Sequence, residues 1–275
     1  MIEIPEAIVL SEQLNQTIKG KRVSKVIAAA SPHKFAWYSG EPGEYDAMLA
    51  GKQVGEATPC AGRIEIKAGD IILRFAEGIN LRFYESGEKL PIKHQLMIAF
   101  EDDSALLATV AMYGGMRCIP EGAPDDDIYT KAAKEAVSPL SDQFDYDFFK
   151  SLINEKSVKM SAKAFLATEQ RIPGLGNGVL QDILLNAKIH PKTKMNTLTE
   201  KQLRGLFDSI KSTLAEMVRC GCRDTENDLF GNPGGYRTKL SKNSLPYPCQ
   251  NCGGALKKEA YLGGSIYFCE RCQKI

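Results

Sequence analysis

Four of the eight cysteines have the spacing of a metal site. Cys249 and Cys252 form one Cys-x-x-Cys pair, and Cys269 and Cys272 form a second pair after 16 intervening residues. Because each pair presents two thiolates at one edge of a tetrahedron, the pattern predicts one closed, structural zinc site of the zinc-ribbon type. Two disulfides or an iron–sulfur cluster are the alternatives. The cytosolic setting predicted below disfavours disulfides, and the paired spacing disfavours a cluster.

Two further segments carry residues that could take part in chemistry. Near the start of the chain, Glu3 is either a catalytic carboxylate or a group that complements the dipole of a helix beginning at Pro5. Residues 173–178 form a glycine-rich turn before an apolar helical pattern. Asn177 in this turn is suited to holding a phosphate together with helix amides, and a plain N-cap is the alternative.

Charge is divided unevenly along the chain. Residues 1–150 hold 16 basic and 23 acidic residues, a net charge of −7, whereas residues 151–275 have a net charge of +8. The basic C-terminal half predicts a polyanion-binding module, with an uneven scatter of solvated charges as the alternative. Hydrophobic residues at 43% and charged residues at 25% are ordinary globular values, which exclude a disordered or fibrous chain.

The sequence lacks the patterns of membrane and targeting segments. No apolar run approaches the roughly 18 residues that a membrane helix needs. The first ten residues are acidic and have no small-residue cleavage site, unlike a signal peptide. These patterns predict a soluble, cytoplasmic protein that does not bind a membrane.

Hydrophobic periodicity indicates which elements position the candidate residues. After a helix from Pro5, strand-like runs are separated by tight turns, which predicts an N-terminal antiparallel β-sandwich in an α+β protein. The runs are 23–28, 63–67, 71–75, 81–84, 96–100 and 105–112. The second half is helical, and a capping box at 199–202 opens a long helix. The predicted domains are a β-sandwich over 1–130, a helical domain over 143–240 and a zinc finger over 245–275.

Four segments, in this order, give the chain its resemblance to a known family. They read EIPE from residue 3, KHQLMIAFEDDSAL from residue 93, IPGLGNGVLQDILLNAKIHP from residue 172 and PCQNC…YFCERCQ from residue 248. The chain resembles the formamidopyrimidine-DNA glycosylase and endonuclease VIII family of base-excision repair enzymes. The resemblance implies a sandwich with a flanking helix, a helix–two-turn–helix module and a zinc finger. It also implies a monomer that acts on damaged or abasic double-stranded DNA in the nucleoid.

The same resemblance assigns DNA-binding positions. Asn177 matches the residue that holds the phosphate flanking the lesion, and Lys163 matches a phosphate-binding lysine. His94 matches a DNA-contacting histidine. Arg63 aligns with a hairpin lysine, where it could hold a phosphate but is a poor nucleophile or proton donor because it stays protonated. The alternatives are a solvated lysine at Lys163 and a sheet histidine at His94.

The chain departs from the family at the residue where the family's chemistry begins. Family members attack the sugar C1′ with the amine of an N-terminal proline, form a Schiff base and cut the strand by β-elimination. Here Ile2 stands in place of that proline. The free amine is expected to be that of Met1, and an ordinary amine pKa of about 8 still allows a nucleophile. Glu3 matches the catalytic acid.

Three more family positions differ. Gly264 replaces an arginine that contacts phosphates and assists the second elimination. Residues 110–115 lack the arginine that fills the gap left by a flipped base, and Met112 or Tyr113 could wedge into the stack instead. Glu77 aligns near the family's methionine wedge, where it would face DNA with a negative charge.

Three hypotheses for the function follow from the sequence. The first is a DNA glycosylase that extrudes a damaged base and uses Glu3 with the N-terminal amine or an activated water, with abasic-site lyase activity weak or absent. The second is a non-catalytic protein that binds damaged or abasic DNA on the same scaffold. The third is a zinc-ribbon protein that binds another partner, such as RNA. Ile2 favours the second hypothesis, and the family resemblance favours the first, which we prefer.

Overall fold

Helix α1 (Ile4–Thr17) forms where the sequence predicts it. Pro5 lies in its first turn, and Glu6 places a carboxylate near the positive end of the helix dipole. Leu10 and Leu14 are buried on one face, as the helical spacing of apolar residues requires. Ile2, just before the helix, belongs to the same hydrophobic core. The first residues of the chain are therefore anchored by burial.

The contacts of the chain divide it into two units. The computed structural model describes residues 1–124 and 127–275. The first unit comprises Met1–Lys131 and Gly221–Gly235, and the second comprises Ala132–Cys220 and Tyr236–Ile275. The segment Gly221–Gly235 lies inside the range predicted for the helical domain, but its contacts are with the first unit. The predicted boundaries of three domains stay a prediction.

Two sheets form the first unit. The four-stranded sheet is antiparallel and has the order β1-β7-β8-β6, and the five-stranded sheet has the order β2-β9-β5-β4-β3. The strands are β1 (Val23–Ala28), β2 (Ala36–Tyr38), β3 (Val54–Cys60), β4 (Arg63–Ala68), β5 (Ile71–Phe75), β6 (Ile79–Tyr84), β7 (Leu96–Phe100), β8 (Ala105–Val110) and β9 (Gly114–Pro120). Helix α2 (Tyr45–Leu49) is also in this unit, and α3 (Ile128–Glu135) begins there. The antiparallel sandwich predicted from the sequence is confirmed, with one parallel pair, β2 and β9.

Three strands of the five-stranded sheet were absent from the sequence prediction. Strand β2 has only three residues, β3 contains Gly55 and Pro59, and β9 begins with two glycines and ends at Pro120. Glycine and proline are depleted in strands, so propensity alone does not indicate these segments. Their pairing with neighbours of the sheet supplies the hydrogen bonds that the local sequence does not predict.

The second unit is helical and ends in a hairpin. Its elements are α4 (Tyr146–Ser151), α5 (Ala162–Ala167), α6 (Val179–Asn186), α7 (Glu200–Arg219), β10 (Leu256–Tyr261) and β11 (Gly264–Cys269). Thr199 and Gln202 form the predicted capping box of α7. Leu262 and Gly263 both have positive φ angles, the geometry that two-residue hairpin turns require. Across residues 1–124 and 127–275, none of the helices has the length and hydrophobicity to cross a membrane.

Candidate functional site

The four C-terminal cysteines converge as the sequence predicts. Their Sγ atoms all lie within 4.8 Å of one another, with 3.9 Å between Cys249 and Cys272 and 3.4 Å between Cys252 and Cys269. A tetrahedral zinc site with Zn–S bonds of about 2.3 Å separates its sulfurs by about 3.8 Å, so the thiols present fit such an ion. All eight cysteines are free thiols, so the geometry does not support the disulfide alternative. The cluster could hold one metal ion.

A buried glutamine ties this metal cluster to the helical part of the same unit. The side-chain oxygen of Gln273 accepts a hydrogen bond from the backbone N–H of Cys269 at 2.9 Å, and its amide donates to the Ile189 carbonyl at 2.9 Å. The ring of His190 lies edge-on to Phe268 with 4.4 Å between centroids. No pattern in the sequence indicates this role of Gln273, because its partner Ile189 lies just after α6, more than eighty residues earlier.

Three positions assigned by the family resemblance meet at one place in the second unit. A Cβ atom added to Gly264 would lie 3.5 Å from the Nζ of Lys163 and 3.8 Å from the Oδ1 of Asn177. The side-chain amide of Asn177 donates to the Ser265 carbonyl at 3.1 Å. Lys163 is only 4% exposed, its ammonium donates to the Tyr261 carbonyl, and burial lowers its pKa. Lys163 is therefore not the solvated surface lysine of the alternative interpretation.

Asn177 is not the cap of helix α6. Gly178 occupies the N-cap position, so the side chain of Asn177 is directed to the hairpin rather than to its own helix. Gln181, one turn into the helix, also donates to the Ser265 carbonyl at 3.1 Å and accepts from the Tyr267 N–H at 3.1 Å. These bonds hold the start of α6 against strand β11, so Asn177 and Lys163 lie on a fixed frame.

In the first unit, the start of the chain is held by a buried arginine that the sequence analysis missed. The Nε and Nη2 of Arg223 each donate to one carboxylate oxygen of Glu6 at 2.9 Å. Its Nη1 is 3.6 Å from Glu3, and its Nη2 is 3.9 Å from Glu226. Burial lowers the pKa of Arg223, but the carboxylates of Glu3 and Glu6 together raise it by more, so its pKa lies above the ordinary arginine value. Arg223 is therefore a permanent cation among these carboxylates.

The two N-terminal residues are also held in place. Ile2 is 2% exposed and packs in the sandwich core, and the amine of Met1 forms an ion pair with Glu226. Both residues border a cavity of about 530 Å³, a size typical of small-ligand sites. Polar side chains that line the cavity include Asn80, Thr109 and Asn227. The cavity therefore combines apolar side chains with polar and charged groups that can hydrogen bond to a ligand.

The other predicted site residues of the first unit are buried or half-buried. Arg63 is buried and donates to the Tyr129 carbonyl at 3.2 Å. Burial raises the pKa of Glu77, which the nearby charge of Arg63 partly offsets. His94 is half-buried, with 3.1 Å between its Nδ1 and the Pro91 carbonyl. Arg63 is thus buried near the half-buried carboxyl of Glu77, not on an open surface.

Comparison with known proteins agrees with this geometry. Residues 136–227 match the formamidopyrimidine-DNA glycosylase H2TH domain. Formamidopyrimidine-DNA glycosylases from Lactobacillus delbrueckii and Listeria innocua are 26% and 25% identical over the whole of both chains. The MutM (Fpg) structure from Thermus thermophilus superposes with a TM-score of 0.81 at 22% identity, covering 98% of each chain. The structure of a Lactococcus lactis Fpg in complex with abasic-site DNA superposes with a TM-score of 0.82 at 21% identity, covering 99% of this chain and 100% of that one.

A sandwich of two sheets, a helix–two-turn–helix module and a four-cysteine hairpin define the class of Fpg-like folds. The sequence relatives agree with that class along the full length of the chain. Residues 136–227 match the H2TH domain of formamidopyrimidine-DNA glycosylases, and the chain is similar to these proteins along its full length.

Proposed function

We propose that this protein is a DNA repair glycosylase that binds damaged duplex DNA and releases the damaged base by hydrolysis, without a covalent N-terminal intermediate. The observation that carries the proposal is the cavity bordered by Met1, Ile2 and Glu6. In the proposed reaction an extruded base enters this cavity. The relatives named as formamidopyrimidine-DNA glycosylases support the reaction class.

The proposed chemistry replaces the family's amine nucleophile with water. The oxygen of water forms a bond to C1′ while the bond between C1′ and the base nitrogen breaks. One proton of the water ends on the departing base, which leaves an abasic site and a free base. Glu3 is proposed to relay that proton, because it is the carboxylate that matches the family's catalytic acid. Arg223 lies beside it and neutralises its charge.

The proposed DNA-binding site lies in the second unit. Asn177 and Lys163 are positioned by α5, α6 and the hairpin, where they can approach one phosphate from the protein surface. The Lactococcus lactis relative was solved in complex with abasic-site DNA, which supports duplex DNA as the partner. His94 remains a proposed DNA-binding residue of the first unit. Because Arg63 is buried near Glu77, we propose that it positions neighbouring groups rather than contacting DNA itself.

The metal proposed for the cysteine cluster is zinc. Four thiolates leave no open coordination position, so the ion would stabilise the finger and take no part in the reaction. When it is bound, it supplies folding free energy to the β10–β11 hairpin. Cys249 and Cys269 are buried, and Leu185 and Leu240 pack against them.

The test of the function separates base release from strand cleavage. Duplexes that carry an oxidised purine or an oxidised pyrimidine are incubated with the protein and analysed with and without hot alkali. We expect strand breaks only after alkali, because hydrolysis leaves an intact abasic site. Glu3→Gln should slow base release by about a hundredfold or more. The matched control is Glu12→Gln, since Glu12 is an exposed carboxylate of the same helix. Strand breaks without alkali would contradict the hydrolytic route.

A second candidate function is a non-catalytic protein that binds damaged or abasic DNA. It is favoured by the ion pairs that occupy Glu3 and the Met1 amine. This candidate predicts selective binding to abasic-site duplexes with no free base released from any damaged duplex. Release of a base that depends on Glu3 would exclude it.

Binding should depend strongly on salt and on Asn177. With about six phosphate contacts, affinity falls by roughly a thousandfold between about 50 and 200 mM salt, because bound cations are released from DNA. Asn177→Ala should weaken binding about tenfold for duplexes of any sequence, since it removes a hydrogen bond to a charged phosphate. It should leave the salt slope unchanged because the side chain is neutral. Fluorescence anisotropy with labelled duplexes measures both effects.

The control for Asn177→Ala is Asn243→Ala, which alters an exposed asparagine of the same unit. That variant should bind as the wild type does. An affinity that stays flat between low and moderate salt would contradict DNA as the partner.

Elemental analysis should find one zinc per chain. The double variant Cys249→Ser with Cys272→Ser removes one thiolate from each Cys-x-x-Cys pair and should lose the metal. Cys60→Ser is the control, because Cys60 lies in strand β3 and outside the cluster. A purified wild type without zinc, or a double variant that retains it, would contradict the assignment.

A further inference from the structure

Glu226 is the most accessible of the three carboxylates that surround Arg223. Its side chain is 22% exposed, compared with 4% for Glu3 and 2% for Glu6. It also lines the cavity of about 530 Å³, beside Met1. Glu226 therefore combines a place on the cavity wall with a surface that water can reach.

Among the described residues, hydrogen bonds already occupy the other carboxylates that line this cavity. Both oxygens of Glu6 accept from Arg223 at 2.9 Å. Asp228 accepts hydrogen bonds from its own turn at 2.7, 2.9 and 3.3 Å. In Glu226, the Oε2 atom binds the Met1 amine, and the Oε1 atom lies 3.9 Å from the Nη2 of Arg223, beyond hydrogen-bond distance. Glu226 therefore retains an oxygen that can accept a hydrogen bond from water in the cavity.

The backbone of Glu226 is fixed by hydrogen bonds on both sides. Its N–H donates to the Arg223 carbonyl at 3.0 Å, and its carbonyl accepts from the N–H of Gly234 at 3.0 Å. A Cβ atom at Gly234 would lie 2.4 Å from the carbonyl carbon of Cys222, so the close approach of these two segments requires glycine. The carboxylate is thus carried by a rigid turn, which lets a catalytic group act without reorganisation.

The residue next to Glu226 in the cavity, Met1, is held at both of its backbone ends. Its amine pairs with Glu226, and its carbonyl accepts from the Nη2 of Arg223 at 3.4 Å. The following side chain, that of Ile2, is 2% exposed in the core. Attack by the amine would have to break the ion pair and move a buried side chain. The neighbouring group that can act without moving is the carboxylate of Glu226.

We infer that Glu226 is the general base of the hydrolysis, holding the attacking water at its second oxygen and taking one proton from it. The inference rests on the proposed function and adds the residue that activates the water. As the water oxygen bonds to C1′, the bond from C1′ to the base breaks, and its electron pair stays on the base nitrogen. The proton passes from water to Glu226 and then to Glu3, which delivers it to the departing base. Both carboxylates end ionised, and the Met1 ammonium keeps its proton and orients Glu226.

Glu226→Gln is the first test, because glutamine keeps the shape of the side chain and an acceptor for the Met1 amine but cannot take a proton. Base release is measured under single-turnover conditions on the oxidised-base duplex that the wild type processes. We expect the rate to fall about a hundredfold or more, while the dissociation constant measured by anisotropy stays within about twofold of the wild type. Asp224→Asn is the matched control, since Asp224 is an exposed carboxylate two positions earlier, and it should leave the rate unchanged.

Chemical rescue separates a base from a structural support. Glu226→Ala removes the carboxylate and leaves room at the cavity wall for a small acid. Added formate should raise base release by Glu226→Ala about tenfold, because it supplies a carboxylate that can take the proton. Formamide has the same shape without the basic oxygen and should not raise the rate. Formate should not raise the rate of Glu226→Gln, in which the amide fills the space.

The outcomes separate this inference from the function on which it rests. Base release by Glu226→Gln at the wild-type rate overturns the role of Glu226 and leaves the hydrolytic function standing, as does formamide that rescues Glu226→Ala as well as formate. A borohydride-trapped adduct that Glu226→Gln forms with abasic-site DNA and the wild type does not also overturns it, because Glu226 would then restrain an amine nucleophile. A wild type that releases no base from any damaged duplex overturns both proposals.

Discussion

Replacing Arg223 with methionine should lower the free energy of unfolding of the first unit by about 3–5 kcal/mol. The guanidinium makes two hydrogen bonds to Glu6 and lies near Glu3 and Glu226, with all but a few per cent of its surface buried. Methionine fills a similar volume but leaves Glu3 and Glu6 as buried carboxylates without their cation. The loss is therefore electrostatic rather than steric.

Urea unfolding followed by Trp37 emission measures this effect, because Trp37 lies in the first unit. Arg219→Met is the matched control: Arg219 is exposed in the last turn of α7, and its loss should change stability by no more than about 0.5 kcal/mol. A second variant, Arg223→Met with Glu6→Met, should recover part of the loss because one of the orphaned charges is also removed. An Arg223→Met protein as stable as the wild type would show that the arginine does not hold the N-terminal carboxylates.

The Ile2→Pro variant, once Met1 is removed, should form a borohydride-trapped covalent adduct with abasic-site DNA. We expect no other single substitution to increase this adduct as much. The proline places a secondary amine at the position where the family keeps its nucleophile. In the wild type that position is filled by a core side chain, and the amine of Met1 is paired with Glu226. Gly264 and Arg63 also differ from the family, so the gain should fall short of full lyase activity because such residues act as a unit.

Mass spectrometry of the intact variant establishes whether Met1 has been removed. A sample with a chemically blocked N-terminus is the control and should give no adduct. Trapping that is as strong in the wild type as in Ile2→Pro would contradict the role assigned to residue 2.

The cysteine cluster could be predicted because the residues that form it lie close together in the sequence, between Cys249 and Cys272. Each Cys-x-x-Cys pair is one turn, and the intervening hairpin brings the two turns together with little help from the rest of the chain. The first helix, the antiparallel sandwich and the capping box of α7 were predicted for the same reason. The meeting of Lys163, Asn177 and Gly264 came from family resemblance, since no periodicity links positions so far apart in the chain.

Arg223 could not be found in this way. Its partners Glu3 and Glu6 are 217 or more residues away, and nothing in the sequence around the end of α7 indicates a buried cation. The contact between Trp37 and Tyr113 was only half predictable: Tyr113 was a candidate for a wedge, but Trp37 reaches it through a three-residue parallel strand too short to predict. Long-range pairing therefore determined the parts of the site that the sequence analysis missed.

Borohydride treatment of the wild-type protein on an abasic-site duplex tests the central claim most directly. The protein is used at a concentration where a gel shift shows all of the duplex bound. We predict a complete shift with no covalent protein–DNA band, because the Met1 amine is held by Glu226 and Ile2 occupies the core. A strong covalent band that disappears when the N-terminus is blocked would show a competent amine nucleophile and contradict the hydrolytic account.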